Sequence, residues 1–212
     1  MAFFDMSRST FISMAAVLVL GAGFTAPLSA AEPSSSAPFS QWLEGVRKEA
    51  SAAGISGNFL DVALAGVQPI KRVIELDRRQ PEFTTTFADY LNRRVNDARV
   101  GKGRELLAEH RKLLDRVTAE TGVPAPYLAA FWGLETNYGS YFGKMQVPSA
   151  LTPLACDPRR TTFFTEQLIA ALRIIDEGAI PAEQMEGSWA GAMGQTQFMP
   201  AIFLKYAIDH DG

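Results

Sequence analysis

The feature that most constrains the fold is a run of eight apolar, aromatic or small residues, Tyr127 to Leu134, which ends at one acid, Glu135. Pro124 and Pro126 suit the first turn of a helix, because a proline there loses no hydrogen bond. Gly139 is placed to end that helix. A helix that is apolar on every side belongs inside a protein. The sequence therefore predicts a buried helix with a carboxylic acid near its C-terminus.

Glu135 is the first candidate for chemistry, because an unpaired carboxylate is costly to bury and glutamate usually lies outside. Helical spacing places it on the same face as Leu128, Phe131 and Trp132. Apolar neighbours and the partial negative charge of a helix C-terminus both favour the protonated acid. A general acid needs that form near neutral pH. The residues alone leave an alternative open, a glutamate that reaches solvent where the helix emerges.

The N-terminus has the layout of a secretory signal. Arg8 precedes the apolar run from Phe11 to Phe24, and the small residues Ser29 to Ala31 follow. The run is short for a membrane span. We predict a cleaved signal peptide over residues 1–31, a flexible leader over 32–38, and therefore an exported protein. The alternative is an uncleaved N-terminal anchor.

Charge and cysteine content narrow the function classes. The 212 residues suffice for one domain or slightly more, and a net charge of -3 does not favour a nucleic-acid partner. Cys156 is the single cysteine, so an intramolecular disulfide is excluded.

Eight basic residues against four acidic ones lie between Arg93 and Arg116. An anionic polymer could bind there, but a solvated helix face explains the pattern better.

Apolar residues at helical spacing recur along most of the chain, whereas no strand pattern of convincing length is found. The fold class is therefore predicted to be mainly α, without a substantial sheet. Residues 68–83 are predicted to be a connector, and Asp157-Pro158 to open a helix that Gly178 ends. The spacing predicts further helices over 42–53, 59–66, 87–95 and 106–117.

Two further segments suggest a ligand. Arg159 and Arg160 fall at the predicted entry of a helix, where acids are preferred, and this misfit favours an anionic ligand. The stretch 186–200 mixes small residues with Trp, Phe and Met, and Ser188, Gln195, Thr196 and Gln197 add neutral hydrogen-bonding groups. Neutral donors and acceptors beside an apolar surface suit a sugar polymer. Close helix packing through Gly191 and Gly194 is the structural alternative.

These stretches resemble a known family. Phe131 to Gly139 (FWGLETNYG) and, after it, Gly187 to Pro200 (GSWAGAMGQTQFMP) are similar to the lytic murein transglycosylases of the B type. Glu75 to Phe83 and Pro158 to Phe164 resemble flanking segments of the same family. The resemblance covers roughly residues 40 to 212.

The resemblance implies a lysozyme-like helical domain with a groove for the glycan strands of peptidoglycan, in the periplasm. It implies cleavage of the β-1,4 bond between N-acetylmuramic acid and N-acetylglucosamine, with closure of a 1,6-anhydro ring instead of addition of water. Glu135 matches the single acid/base, and Ser188 and Gln197 match groove positions that hydrogen-bond the sugar. Arg159-Arg160 matches a basic pair that faces the peptide or carboxylate side of the substrate, and Tyr138, next to the acid, is carried over as a further substrate-binding residue.

The resemblance also shows where this chain departs from the family. Residues 39–212 are expected to form a catalytic domain that is incomplete at its C-terminus, and a monomer. Asp209 and Asp211 resemble the start of an oxygen-rich calcium loop whose other ligands are missing; no cofactor is expected to be required. A non-catalytic peptidoglycan-binding fragment and a hydrolytic muramidase therefore stay open as alternatives.

Overall fold

Helices build most of the described structure. The computed structural model describes residues 39–65, 67, 70–79 and 85–208, which belong to the unit Ser36–Gly212. The predicted signal peptide and leader lie outside the described residues. The helices are α1 (Phe39–Ala52), α2 (Gly57–Ala63), α3 (Lys71–Arg78), α4 (Phe87–Arg94), α5 (Asp97–Glu109), α6 (Arg111–Thr121), α7 (Ala125–Thr136), α8 (Val147–Cys156), α9 (Thr161–Asp176) and α10 (Pro200–Tyr206).

The sheet is minimal. Strands β1 (Met145–Gln146) and β2 (Glu186–Gly187) pair antiparallel, with Met145 opposite Gly187. The predicted class, mainly α without a substantial sheet, is confirmed. None of the described helices is long and apolar enough to cross a membrane.

The core lies between α8 and α9. Leu151 and Leu154 of α8 and Leu168 and Leu172 of α9 are at most 1% exposed. Burial of each such side chain stabilises the fold by about 1.5–3 kcal/mol. Helices α1, α2 and α3 add further buried apolar residues to the same cluster, namely Val46, Ala50, Leu60 and Val73.

A second group of helices, α5 to α7, packs together, and these helices bury much less than α8 and α9. Helices α4 and α6 have no buried residue, and α5 buries only Gly103 and Leu106. Asn96 caps α5, because its side-chain oxygen accepts a hydrogen bond from the Arg99 N–H at 2.9 Å. His110 separates α5 from α6 and meets the Trp132 ring edge-on at 5.8 Å between centroids.

Several predicted boundaries are wrong. The predicted connector 68–83 contains α3, which buries Val73, and the single helix predicted over 106–117 is divided between α5 and α6. Helix α8 was not predicted, because Pro148 and Pro153 resemble helix breakers. Asp157 is the C-cap of α8 and not the N-cap of the next helix, since its N–H donates to the Pro153 carbonyl and α9 begins at Thr161.

Candidate active site

The C-terminal turn of α7 forms the centre of the candidate site. Glu135 is the next-to-last residue of α7, and the helix ends at Thr136. Asn137, Tyr138 and Gly139 then have φ angles of 50°, 59° and 76°. Asn137 is therefore the left-handed residue that ends the helix, two positions before the predicted Gly139. These left-handed residues turn the chain away immediately after Glu135.

The predicted burial of Glu135 is wrong, because its side chain is exposed. Helix α7 buries only one stripe, formed by Ala129, Gly133 and Thr136, against its neighbours. The face that carries Glu135 also carries Tyr127 and Phe131, which are both 62% exposed. Among the described residues, nothing packs over that face closely enough to bury it. The apolar composition of α7 therefore did not predict which faces of the helix are buried by other elements.

Thr136 fastens this end of α7 to the loop 187–199. Its side chain is almost fully buried, and its hydroxyl donates to the Gln195 carbonyl at 2.9 Å and accepts from the Gly139 N–H at 3.0 Å. One turn earlier, Trp132 Nε1 donates to Gln195 Oε1 at 2.6 Å. The structure thus brings the two segments that carry the sequence motifs together beside Glu135.

The loop 187–199 is not a helix. Isolated bridges join Met193 to Gly187 and to Phe198. Ser188 shapes the first turn, because its Oγ accepts from the N–H groups of Ala190 at 3.3 Å and Ala192 at 3.1 Å. Gly191 has a φ of 85°, and an added Cβ would collide with Leu151 of α8. The predicted close approach at Gly191 is real, but a loop and not a helix makes it.

Gln197 joins this loop to the segment after α7. It has a φ of 52°, which is uncommon for a residue with a side chain. Its Nε2 donates to the carbonyls of Gly194 at 3.1 Å and Phe142 at 3.3 Å. A Cβ on Gly143 would collide with the Gly187 backbone, so the two segments touch there. Left-handed, well-anchored residues of this kind are concentrated at functional sites.

A cavity of about 430 Å³ opens beside this junction. Phe142, Met193 and Phe198 give it an apolar wall, and Gln195 and Glu186 add polar groups. Because Gln195 also accepts the Trp132 and Thr136 hydrogen bonds, the cavity lies directly behind the end of α7. Concave apolar sites with a few convergent polar groups are typical of ligand sites.

Tyr138 points back into the helices. Its hydroxyl donates to the Arg99 carbonyl at 2.9 Å, and its ring meets Trp132 edge-on at 5.6 Å. The hydroxyl therefore has a partner within the protein, and a substrate contact by Tyr138 stays a prediction.

The predicted basic pair, Arg159 and Arg160, forms salt bridges with an acidic residue of α3. Arg159 and Arg160 both pair with Asp77, whose side chain is only 2% exposed. Arg159 also lies 3.4 Å from Asp157. These acids explain why two cations stand at the start of α9, which the sequence argument treated as a misfit. About half of each arginine side chain is exposed, and a role in binding an anionic ligand stays a prediction.

Comparison with known proteins identifies the family. The model described as "Transglycosylase SLT domain" matches residues 38–212. The chain belongs to the transglycosylase SLT domain family. The expected helical, lysozyme-like fold of this family is confirmed.

Relatives of this SLT domain include solved structures and a curated protein. SltB3 from Pseudomonas aeruginosa, in complex with NAG-anhNAM-pentapeptide, is 46% identical with a TM-score of 0.76, and covers 82% of this chain and 46% of its own. The Escherichia coli lytic transglycosylase SLT35, in complex with calcium, is 27% identical with a TM-score of 0.71, over 82% of this chain and 56% of its own. "Membrane-bound lytic murein transglycosylase B" of Escherichia coli (strain K12) is 33% identical over 105 residues, which are 49% of this chain and 29% of that protein. The SLT domain thus spans less than half the length of SltB3 and of the curated relative.

The calcium prediction lies outside what the structure describes for this SLT domain, because Asp209 and Asp211 fall beyond residue 208. Within residues 39–208, apart from the undescribed gaps, no group of three or more His, Cys, Asp or Glu side chains could hold a metal ion. Calcium binding by the two aspartates stays a prediction.

Sequence reasoning missed how the SLT site is held together. Thr136, Gln195, Asp77 and Arg99 owe their roles to partners far away in the chain. Gln195 was predicted only as a neutral hydrogen-bonding group, and Thr136 left a trace as a hydroxyl at the end of an apolar helix beside an acid. Asp77 and Arg99 have no local pattern that would have singled them out.

Proposed function

We propose that this SLT domain is an exported lytic transglycosylase that cleaves the MurNAc-β-1,4-GlcNAc bond of peptidoglycan and leaves 1,6-anhydroMurNAc ends. One observation carries the proposal. Residues 125–144 and 187–199, which meet at the end of α7, contain a single acidic residue, Glu135. Its exposed side chain is open to a glycan strand, while Thr136 beside it is anchored to the loop 187–199.

In the proposed reaction, the Glu135 carboxyl group acts first as the general acid and then as the general base. Glu135 protonates the glycosidic oxygen as the bond from that oxygen to C1 of MurNAc breaks, and the acetamido group of the same sugar stabilises the positive charge at C1. The Glu135 carboxylate next accepts the proton of the C6 hydroxyl, whose oxygen bonds to C1. The acid is regenerated and no water is consumed. Substrate-assisted glycosidases likewise depart from the usual pair of carboxylates.

The hydrogen bonds within the loop support two of the proposed sugar contacts. Ser188 Oγ accepts two backbone N–H groups, so its own hydrogen is left to donate to a sugar oxygen. Both hydrogens of Gln197 Nε2 are directed at carbonyls, so Oε1 is left to accept a sugar hydroxyl. The proposed site thus offers one fixed donor and one fixed acceptor.

The relatives support the same substrate class. The SltB3 structures contain NAG-anhNAM-pentapeptide and NAG-NAM-pentapeptide. Because such a substrate lies outside the cytoplasmic membrane, we include export by residues 1–31 and a periplasmic location in the proposal. The pentapeptide carries carboxylates, and the exposed halves of Arg159 and Arg160 are the proposed contacts for them.

Mass spectrometry of sacculi digested with the purified chain tests the proposal. Muropeptides that end in 1,6-anhydroMurNAc are expected, at a mass 18 Da below that of the hydrolysed product because no water is added. Reducing MurNAc ends would instead identify a hydrolytic muramidase. Binding to sacculi without any soluble product would identify a non-catalytic wall-binding fragment. Either of these results contradicts the proposed reaction.

A further inference from the structure

The turn that follows Glu135 is conformationally costly. Asn137 and Tyr138 are both left-handed, and for a residue as bulky as tyrosine that conformation is a genuine outlier. Such a conformation persists only where its surroundings hold it in place, and it is most often found at functional sites. The contacts of Asn137 and Tyr138 should therefore indicate what this turn contributes to the site.

The Tyr138 ring fills a notch between two helices. The notch is lined by Gly103 of α5 and Gly133 of α7, and a Cβ at either position would collide with the tyrosine side chain. The hydroxyl donates to the Arg99 carbonyl of α5 at 2.9 Å, and Trp132 packs edge-on against the ring. The absence of a Cβ at Gly103 and Gly133 thus makes room for the Tyr138 side chain, and the contacts around the notch hold that side chain in one position.

Arg99 holds the other left-handed residue. Its Nε donates to Asn137 Oδ1 at 3.2 Å, and a terminal nitrogen of its guanidinium donates to the Arg94 carbonyl, at the end of α4, at 2.6 Å. Both left-handed residues are therefore bonded to the same residue of α5, one through its side chain and the other through its carbonyl.

Two anchors follow Glu135 within three residues. Thr136 fastens the end of α7 to the loop 187–199, and Tyr138 fastens the following turn to α5. We propose that Tyr138 is a positioning residue, which with Arg99, Gly103 and Gly133 forms a lock that fixes the direction of the Glu135 carboxyl. This inference rests on the proposed function of Glu135, and it replaces the substrate contact expected for Tyr138 from family resemblance.

Activity measurements separate positioning from substrate binding. A displacement of about 1 Å can lower a rate by about 100-fold, although the displaced group itself does not bind the substrate. Tyr138→Leu, which empties the notch, is therefore expected to lower kcat by about 100-fold on soluble glycan strands, and Tyr138→Phe by about 3- to 10-fold. KM is expected to change by less than about two-fold in both. A raised KM with unchanged kcat would make Tyr138 a substrate contact and overturn the proposal.

The two glycines allow a sharper test. The atom closest to a Cβ at position 103 is the Tyr138 hydroxyl, and the ring carbon Cζ is 3.2 Å away. At position 133 the ring carbons themselves are 2.6 and 2.8 Å away. Tyr138→Phe should therefore partly restore the kcat and the melting temperature of Gly103→Ala but not those of Gly133→Ala. Gly101→Ala, on α5 with nothing within 4 Å of its Cβ, is the matched control and should keep the kcat of the parent with an equal or higher melting temperature, because alanine is the better helix former.

The outcomes distinguish this inference from the proposed function. A parent chain that forms no anhydro ends overturns the proposed function, and the positioning role falls with it. A parent that is active while Gly103→Ala and Tyr138→Phe leave kcat unchanged overturns the positioning role alone. Equal effects of Tyr138→Phe in the Gly103→Ala and parent backgrounds, measured by thermal unfolding, would show that the lock itself does not exist.

Discussion

Helices α7 and α8 are built from similar residues and have opposite surroundings. Both carry a proline within the first two positions, and both are rich in Ala and Leu. Helix α8 buries seven of its ten residues, whereas α7 buries three of its twelve. The difference lies in the partners: α8 packs along α9, and α7 leaves one apolar face with Glu135 open.

This contrast teaches that apolar composition does not by itself bury a helix. Helix α8 contributes to stability through close packing, and Gly191 lets the loop 187–199 approach it. Helix α7 is instead held by hydrogen bonds and one notch at its C-terminal turn, where three left-handed residues follow one another. An exposed apolar face beside an acid suits a surface that receives a ligand.

The largest expected difference between the two helices comes from the same substitution in each. Leu154 of α8 is 1% exposed and Leu134 of α7 is 39% exposed. Leu154→Ala should lower the free energy of unfolding by about 2–5 kcal/mol, because it leaves a cavity. Leu134→Ala should cost less than about 1 kcal/mol, since little buried surface is lost. Urea unfolding measures both, and equal losses would refute the contrast.

A second prediction concerns the polar edge of the α8–α9 region. Asp77→Asn removes the charge that Arg159 and Arg160 share, and charge-assisted hydrogen bonds contribute about 1.5–3 kcal/mol each. We expect a loss of about that size in unfolding free energy. Asp61, paired with Arg47 and 71% exposed, is the matched control, and Asp61→Asn should cost less than about 1 kcal/mol. If the two variants were equally stable, Asp77 would not anchor the pair.

A third prediction concerns the anchor of α7. Thr136→Val keeps the side-chain shape but leaves the Gln195 carbonyl and the Gly139 N–H without their partner, at a cost of about 1–3 kcal/mol. Thr121→Val removes a comparable pair of bonds at an exposed helix end, where water replaces them, and should cost less than about 0.5 kcal/mol. Thermal unfolding compares the two. A neutral Thr136→Val would mean that the hydrogen bonds of Thr136 do not hold the end of α7 in place.

The sequence predicted the class of the fold better than its details. The spacing of apolar residues indicated helices, and two motifs identified the segments that meet at the site. Helix α8 was missed because Pro153 lies inside it, and a proline in a helix interior removes one backbone donor. The burial of Glu135 was wrong because the rule for an apolar helix assumes neighbours on every side, which local sequence cannot supply.

The residues that support the site could not be predicted from local patterns. Asp77 meets Arg160 across 83 positions, and Arg99 meets Asn137 across 38. Each is an ordinary charged residue on a helix in the sequence. Only the packing of α3 against α8, which brings Asp77 to the residues that precede α9, and of α5 beside α7 gives them partners. The role of the glycines could not be predicted either. Gly101 and Gly103 are equivalent in the sequence, and only the position of the Tyr138 ring shows that Gly103 has no room for a side chain.

The most direct test of the account replaces the acid on the open face of α7. Glu135→Gln keeps the shape of the side chain and removes its ability to donate and accept the proton. Release of anhydro-muropeptides from sacculi is expected to fall by at least about 1,000-fold, with an unchanged melting temperature. Glu166→Gln, at an exposed position of α9, should keep full activity. Glu135→Gln that still released anhydro-muropeptides at the rate of the parent would contradict the account.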